Sequence, residues 1–129
     1  MNKVTKDIVK SLLLLLIIDC VYLYSMSNHY GKLISDIQGA PLKLKFIPTL
    51  MVYALIYLGW YHFIYNKNTL LKQKLKDSFV LGLVMYGVYE FTNQAIFNKW
   101  TFKTVLIDTI WGSMLLTLLT GIFFSMLYI

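Results

Sequence analysis

Four stretches of this chain are apolar over lengths that match a bilayer: residues 8–26, 46–65, 78–97 and 104–129. A helix needs about 20 residues to cross roughly 30 Å of hydrocarbon. Lipid offers the backbone no hydrogen-bond partners, so a spanning segment must satisfy its own N–H and C=O groups. The expectation is an all-α integral membrane four-helix bundle, with residues 1–129 forming a single transmembrane domain. Charge supports this. Only 14% of residues are charged and the mean hydropathy is +0.63, where a soluble domain carries about 25% charge.

The first stretch follows Lys3, Lys6 and Lys10 and resembles a signal peptide, but Asp19, Cys20, Val21 and Tyr22 offer no small-residue cleavage site. It is read as a retained helix. Cys20 has no second cysteine to pair with, and no Cys/His cluster suggests zinc, so no metal or cofactor is expected. His62 reads as an interfacial residue. The net charge of +6 rests on Lys with no Arg. Nucleic-acid sites favour Arg on a solvated basic face, so no nucleic-acid partner is expected. These lysines instead flank the apolar stretches and suit anionic headgroups of a lipid bilayer. With cytoplasmic termini, seven lysines fall inside and five outside, which sets the expected orientation.

Between the stretches, Ser27–Lys45 reads as a loop containing the turn formers Gly31, Gly39 and Pro41. Asn66–Asp77 reads as a lysine-rich connection able to lie on the inner membrane surface. Asn98–Lys103 is short, so the stretches on either side should be antiparallel neighbours. Trp100, Tyr65 and Tyr128 fall near stretch ends, as in an aromatic belt. Tyr53, Tyr57 and Trp60 read as packing or lipid contact.

Three acids interrupt the apolar stretches: Asp19, Glu90 and Asp108. A charge at the centre of a membrane helix costs about 2.5–3.5 kcal/mol on insertion scales. One shared polar interior meets that cost most simply. At about 100° per residue, Tyr86, Glu90, Asn93 and Gln94 share a side of the third helix. Asp108, Trp111 and Gly112 share a side of the fourth, and Asp19, Tyr22 and Met26 a side of the first. Tyr86 is placed to donate to Glu90 along its helix, and Trp111 offers an indole N–H. Gly82, Gly87 and Gly112 permit close helix approach. With ~1.5 Å rise per residue, Glu90 and Asp19 reach similar depths, and antiparallel packing brings Asp108 level with Asn93. The expected proton- or ligand-binding set is Asp19, Glu90, Asp108, Asn93, Tyr86 and Trp111. Tyr22, Thr92 and Gly112 support it.

The run Tyr89-Glu90-Phe91-Thr92-Asn93, then Trp100, then Asp108-Thr109-Ile110-Trp111-Gly112 resembles a family of small membrane proteins, domain of unknown function 2177. Asp19 followed by Tyr22 matches that family's first helix. Glu90 stands where the family more often carries Asp. The resemblance spans nearly the whole chain and implies a four-helix integral membrane protein with no known activity.

The acid pattern points to a pocket that binds or moves protons or a small cationic solute, in a homo-oligomer because four helices enclose little volume. Two alternatives stand beside it. One is a membrane-embedded lipid-modifying enzyme with paired carboxylates as acid and base; it lacks a Ser/His/Asp set and a phosphate-cradling Gly loop, so an enzyme is the weaker reading. The other is an accessory subunit whose acids are structural glue between helices.

Overall fold

The computed structural model describes residues 1–129 and is all-helical. Helix α1 runs Lys3–Ser25, α2 Ser27–Gln38, α3 Phe46–Trp60, α4 Leu71–Ile96 and α5 Phe102–Ile122. α3 runs on into a π-helical turn, Tyr61–Tyr65, and α5 into another, Phe123–Leu127.

Local chemistry sets several of these ends. Asn2 caps α1 by accepting from the Thr5 N–H at 2.8 Å, and Thr101 caps α5 by accepting from the Thr104 N–H at 3.2 Å. Each side chain satisfies a donor that the first helical turn leaves free. α2 stops at Gly39, whose φ of 71° is left-handed and whose N–H reaches the Ser35 carbonyl. A residue without a Cβ takes that conformation at least cost.

Two expected loops are partly helix. Ser27–Lys45 contains α2, which continues the chain from α1 after the single non-helical residue Met26. Asn66–Asp77 gives its second half to α4, which starts at Leu71. Turn formers mark where a chain can bend, and here Gly31 sits within a helix that makes no sharp turn.

Three helical segments are long and apolar enough to cross a membrane: Lys3–Ser25, Phe46–Tyr65 and Phe102–Leu127. The expected count was four. α4 is long enough at 26 residues but less apolar, because Lys72, Lys74, Lys76 and Asp77 open it and Glu90, Thr92, Asn93 and Gln94 close it.

The molecule is apolar outside and mixed inside. Its buried side chains include Asp7, Ser11, Asp19, Glu90, Thr104 and Asp108 beside Leu15, Trp60, Leu115, Leu116, Leu119 and Phe123. Leu13, Ile17, Leu55, Val84, Val88 and Ile110 lie exposed on the long helices. Such an apolar exterior suits lipid.

The α4–α5 pair is the most extensive helix contact. A Cβ on Gly82 would run into the Gly112 carbonyl, and one on Gly112 would run into the Tyr86 ring. The two backbones therefore touch where only glycine fits. α1 packs against α5 and its terminal π turn, and the π turn of α3 packs against α4.

Candidate functional site

The acids meet their partners where α1, α3, α4 and α5 come together. Glu90 of α4 is fully buried and Asp108 of α5 is 7% exposed. The two carboxyl groups are neighbours, close enough for each to bear on the other's charge. Glu90 Oε1 accepts from the Trp100 indole N–H at 2.8 Å. Glu90 Oε2 is buried and meets no N–H or O–H donor.

Asp108 Oδ1 accepts from the Tyr22 hydroxyl at 2.9 Å. Tyr22 has one hydroxyl hydrogen and spends it there, so the 2.8 Å bond between Tyr22 and Tyr30 is donated by Tyr30 of α2. Burial, chiefly, pushes the Tyr30 hydroxyl above the ordinary tyrosine range, with the Tyr22 bond and the Asp108 charge adding to it. Tyr30 thus keeps its proton and remains a donor. Beside it, His29 pairs with Thr104 Oγ1 at 2.8 Å, and Thr104 pairs with Thr101 Oγ1 at 2.8 Å. α2 thereby closes over the Asp108 end of the site.

Asp19 has donors of its own. Trp111 gives its indole N–H to Asp19 Oδ1 at 2.9 Å, and Tyr53 of α3 donates its hydroxyl to Oδ2. The structure therefore pairs Glu90 with Asp108 and links Asp19 to them through two stacked rings. Trp111 lies on Tyr22 with centroids 4.5 Å apart and planes 10° from parallel.

The supporting residues divide. Tyr86 packs its ring on Gly112, and the Glu90 bond expected of it comes from Trp100 instead. At i−4 Tyr86 lies one turn away along α4, whereas Trp100 folds back over that helix's end. Thr92 is exposed and donates to the Val88 carbonyl of its own helix at 2.6 Å. Asn93 is half-buried beside Tyr89.

Three participants escaped the sequence reading in their roles. Trp100 is 5% exposed and serves an acid rather than an aromatic belt. Tyr53, read as packing, holds Asp19. Tyr30 lies in α2, where no helix was expected. The signal for Trp100 was its place in the motif between Glu90 and Asp108; for Tyr53 and Tyr30 the chain carries no comparable mark.

A second polar cluster sits at the other end of the helices. Asp7 is 1% exposed and accepts from Lys3 Nζ and from the Tyr65 hydroxyl, each at 2.8 Å. Ser11 pairs with the Tyr57 hydroxyl at 2.7 Å. Asp7 lies one residue before the first apolar stretch, so it does not interrupt that stretch.

An all-helical chain with an apolar exterior, polar groups in its interior and three segments able to cross a membrane is a membrane protein. It belongs to the family described as predicted membrane protein, domain of unknown function 2177, whose model matches residues 4–125. Neither a curated protein nor a solved structure matches the chain. Of the residues that carry the resemblance, Asp19, Tyr22, Glu90, Trp100, Asp108 and Trp111 take part in the acid contacts above, and Thr92 and Asn93 do not.

Proposed function

We propose that this is a four-span membrane protein whose Glu90–Asp108 pair holds one exchangeable proton, or a small cation in its place, within the bilayer. The observation that carries this reading is Glu90 Oε2. It is buried and has no donor, and Asp108 neighbours the carboxyl that carries it. Two ionised carboxylates in contact away from water repel strongly. A single proton between them removes the repulsion and gives the orphan oxygen its bond. Such sharing is a recognised solution for adjacent acids. Tyr22 and Tyr30 then form a hydroxyl chain leading from Asp108 to α2, a route by which that proton can be exchanged.

α4 supplies the fourth span in this reading. Its polar residues face protein partners at Glu90 and Ser78, and its lysines lie in its first turns. Both termini then fall on the same side.

The test is infrared spectroscopy with proteoliposome flux. At neutral pH the wild type should show a carboxylic-acid C=O band that Glu90→Gln and Asp108→Asn each abolish. Glu90→Gln should still fold, since its amide accepts from Trp100 and donates to Asp108. pH-driven proton or cation movement should disappear with the band. A wild type with every carboxyl ionised and no flux would overturn the proposal. Variants that unfold in detergent while the wild type shows no flux would point to structural glue between helices.

A further inference from the structure

We infer a second site, for a phosphate-bearing anion, in a cleft between the α3–α4 connection and the C-terminal end of the chain. The cleft has a volume of about 300 Å³ and is lined by Lys67, Asn68, Thr69, Lys74, Phe124 and Tyr128, among others. That size is at the small end of small-molecule sites.

The carrying observation is Lys74. It lines the cleft yet is 7% exposed. Its ammonium bonds to the carbonyls of Ile64 at 2.7 Å and Lys67 at 2.5 Å. The Phe124 ring lies 4.8 Å from it. No carboxylate comes within ion-pairing distance; the ion pairs of the molecule are Lys3–Asp7 and Lys32–Asp36. Asp77, the nearest acid in its helix, is engaged by Gln73. Carbonyl dipoles and a ring face solvate a cation but do not neutralise it. A buried charge without a counter-charge in contact is costly, and Lys74 borders a cavity. Burial pushes the Lys74 ammonium below the ordinary lysine range, and the Asp77 charge offsets this only in part.

The rest of the lining fits an anion with several acceptor oxygens. Lys67 adds a second positive charge at the rim, and Asn68 and Thr69 add neutral donors. α4 begins beside the cleft with no side-chain cap, so the N–H groups of its first turn remain open to a ligand. Tyr65 and Tyr128 border the cleft, and Lys3 sits 3.6 Å over the Tyr128 ring. Lysines and tyrosines at one end of the helices suit the headgroup layer. The anion is the phosphate of an acidic lipid or free phosphate from solution, which share the same recognition chemistry.

The full-length protein, delipidated in neutral detergent, separates these. Native mass spectrometry with phosphatidylglycerol against phosphatidylcholine reads the lipid arm; thermal stability against inorganic phosphate reads the soluble arm. Preferential retention of phosphatidylglycerol, or a saturable phosphate-dependent rise in melting temperature, supports the site and names its source. Lys67→Glu should weaken whichever response occurs by about fivefold or more, on the scale of a juxtamembrane lysine's pull on an acidic headgroup. Lys43→Gln, an exposed lysine elsewhere, should leave it unchanged. Lys74→Met tests the buried charge directly, and Lys67→Glu carries the test if that variant does not fold. Equal retention of both lipids with no phosphate response overturns the inference, as does a response that Lys67→Glu leaves intact. The Glu90 infrared band belongs to the opposite end of the helices, so either result leaves that reading to its own test.

Discussion

Tyr22 and Trp111 lie face to face, 4.5 Å between centroids, and each aims its polar hydrogen at a different acid. Tyr22 donates to Asp108 and Trp111 donates to Asp19. One residue is from α1 and the other from α5. Each helix thus lends the other the donor that its own carboxylate requires. Removing either ring leaves a carboxylate short of a donor and its stacking partner unsupported.

Trp111→Phe should therefore cost about 1–3 kcal/mol, the usual penalty for leaving a buried acceptor without its donor. Tyr22→Phe should cost a similar amount at Asp108. The two losses should be non-additive, because the rings touch. Chemical unfolding in detergent of both single variants and the double variant measures this. Simple additivity would mean that the stack does not couple the two acids.

Trp100→Phe should destabilise through Glu90. The indole N–H is the donor to that carboxyl, whose other oxygen has none. The expected loss is ~2 kcal/mol. Pairing it with Glu90→Met should recover part of that loss, since the variant removes the group left unsatisfied. A double variant as unstable as the sum of its parts would show that Trp100 matters only as bulk.

Glycine contacts give a sharper contrast. Gly112→Ala puts a methyl into the Tyr86 ring, and Gly82→Ala puts one into the Gly112 carbonyl. Each should cost about 1–3 kcal/mol from overpacking. Gly31→Ala, in α2, meets nothing within 4 Å. It should stabilise by up to ~1 kcal/mol through helix propensity. Melting temperatures of the three variants in one detergent provide the comparison.

At the other end, Asp7→Asn should weaken the link between α1 and the π turn that follows α3. Asp7 Oδ2 accepts from Tyr65 and Lys3 together, and an amide oxygen in its place can accept both but loses the charge that strengthens them. The expected cost is ~1–2 kcal/mol, accompanied by faster hydrogen exchange at the start of α1. Unchanged exchange there would show that Lys10, which donates to the Leu127 carbonyl at 3.2 Å, and the Ser11–Tyr57 bond hold the helix without Asp7.

The long apolar stretches and their helical state were legible in the sequence because lipid-compatible backbone permits little else. The acids stood out for the same reason: a carboxylate in an apolar run is expensive and must be served. What served them was not legible. Donors come from outside the acid's own helix, as Tyr53 of α3 to Asp19 and Trp100 of the α4–α5 connection to Glu90, and helical periodicity reports only on neighbours in one helix. The same limit explains Tyr86, which shares a face with Glu90 and yet fills the groove beside Gly112. α2 was missed because Gly31 and Gly39 were weighed alike, whereas Gly39 alone adopts the left-handed conformation that ends a helix.

The contact at Gly82 and Gly112 bears on how the acid pair can be reached. Backbones that close cannot slide past one another without a clash, so α4 and α5 behave as a welded hairpin. Glu90 and Asp108 ride on the two helices of that hairpin. α1 holds that hairpin by a thinner contact, and α2 by Leu33 packed on Trp100 and Val105, by the His29–Thr104 bond and by the hydroxyls of Tyr30 and Tyr22.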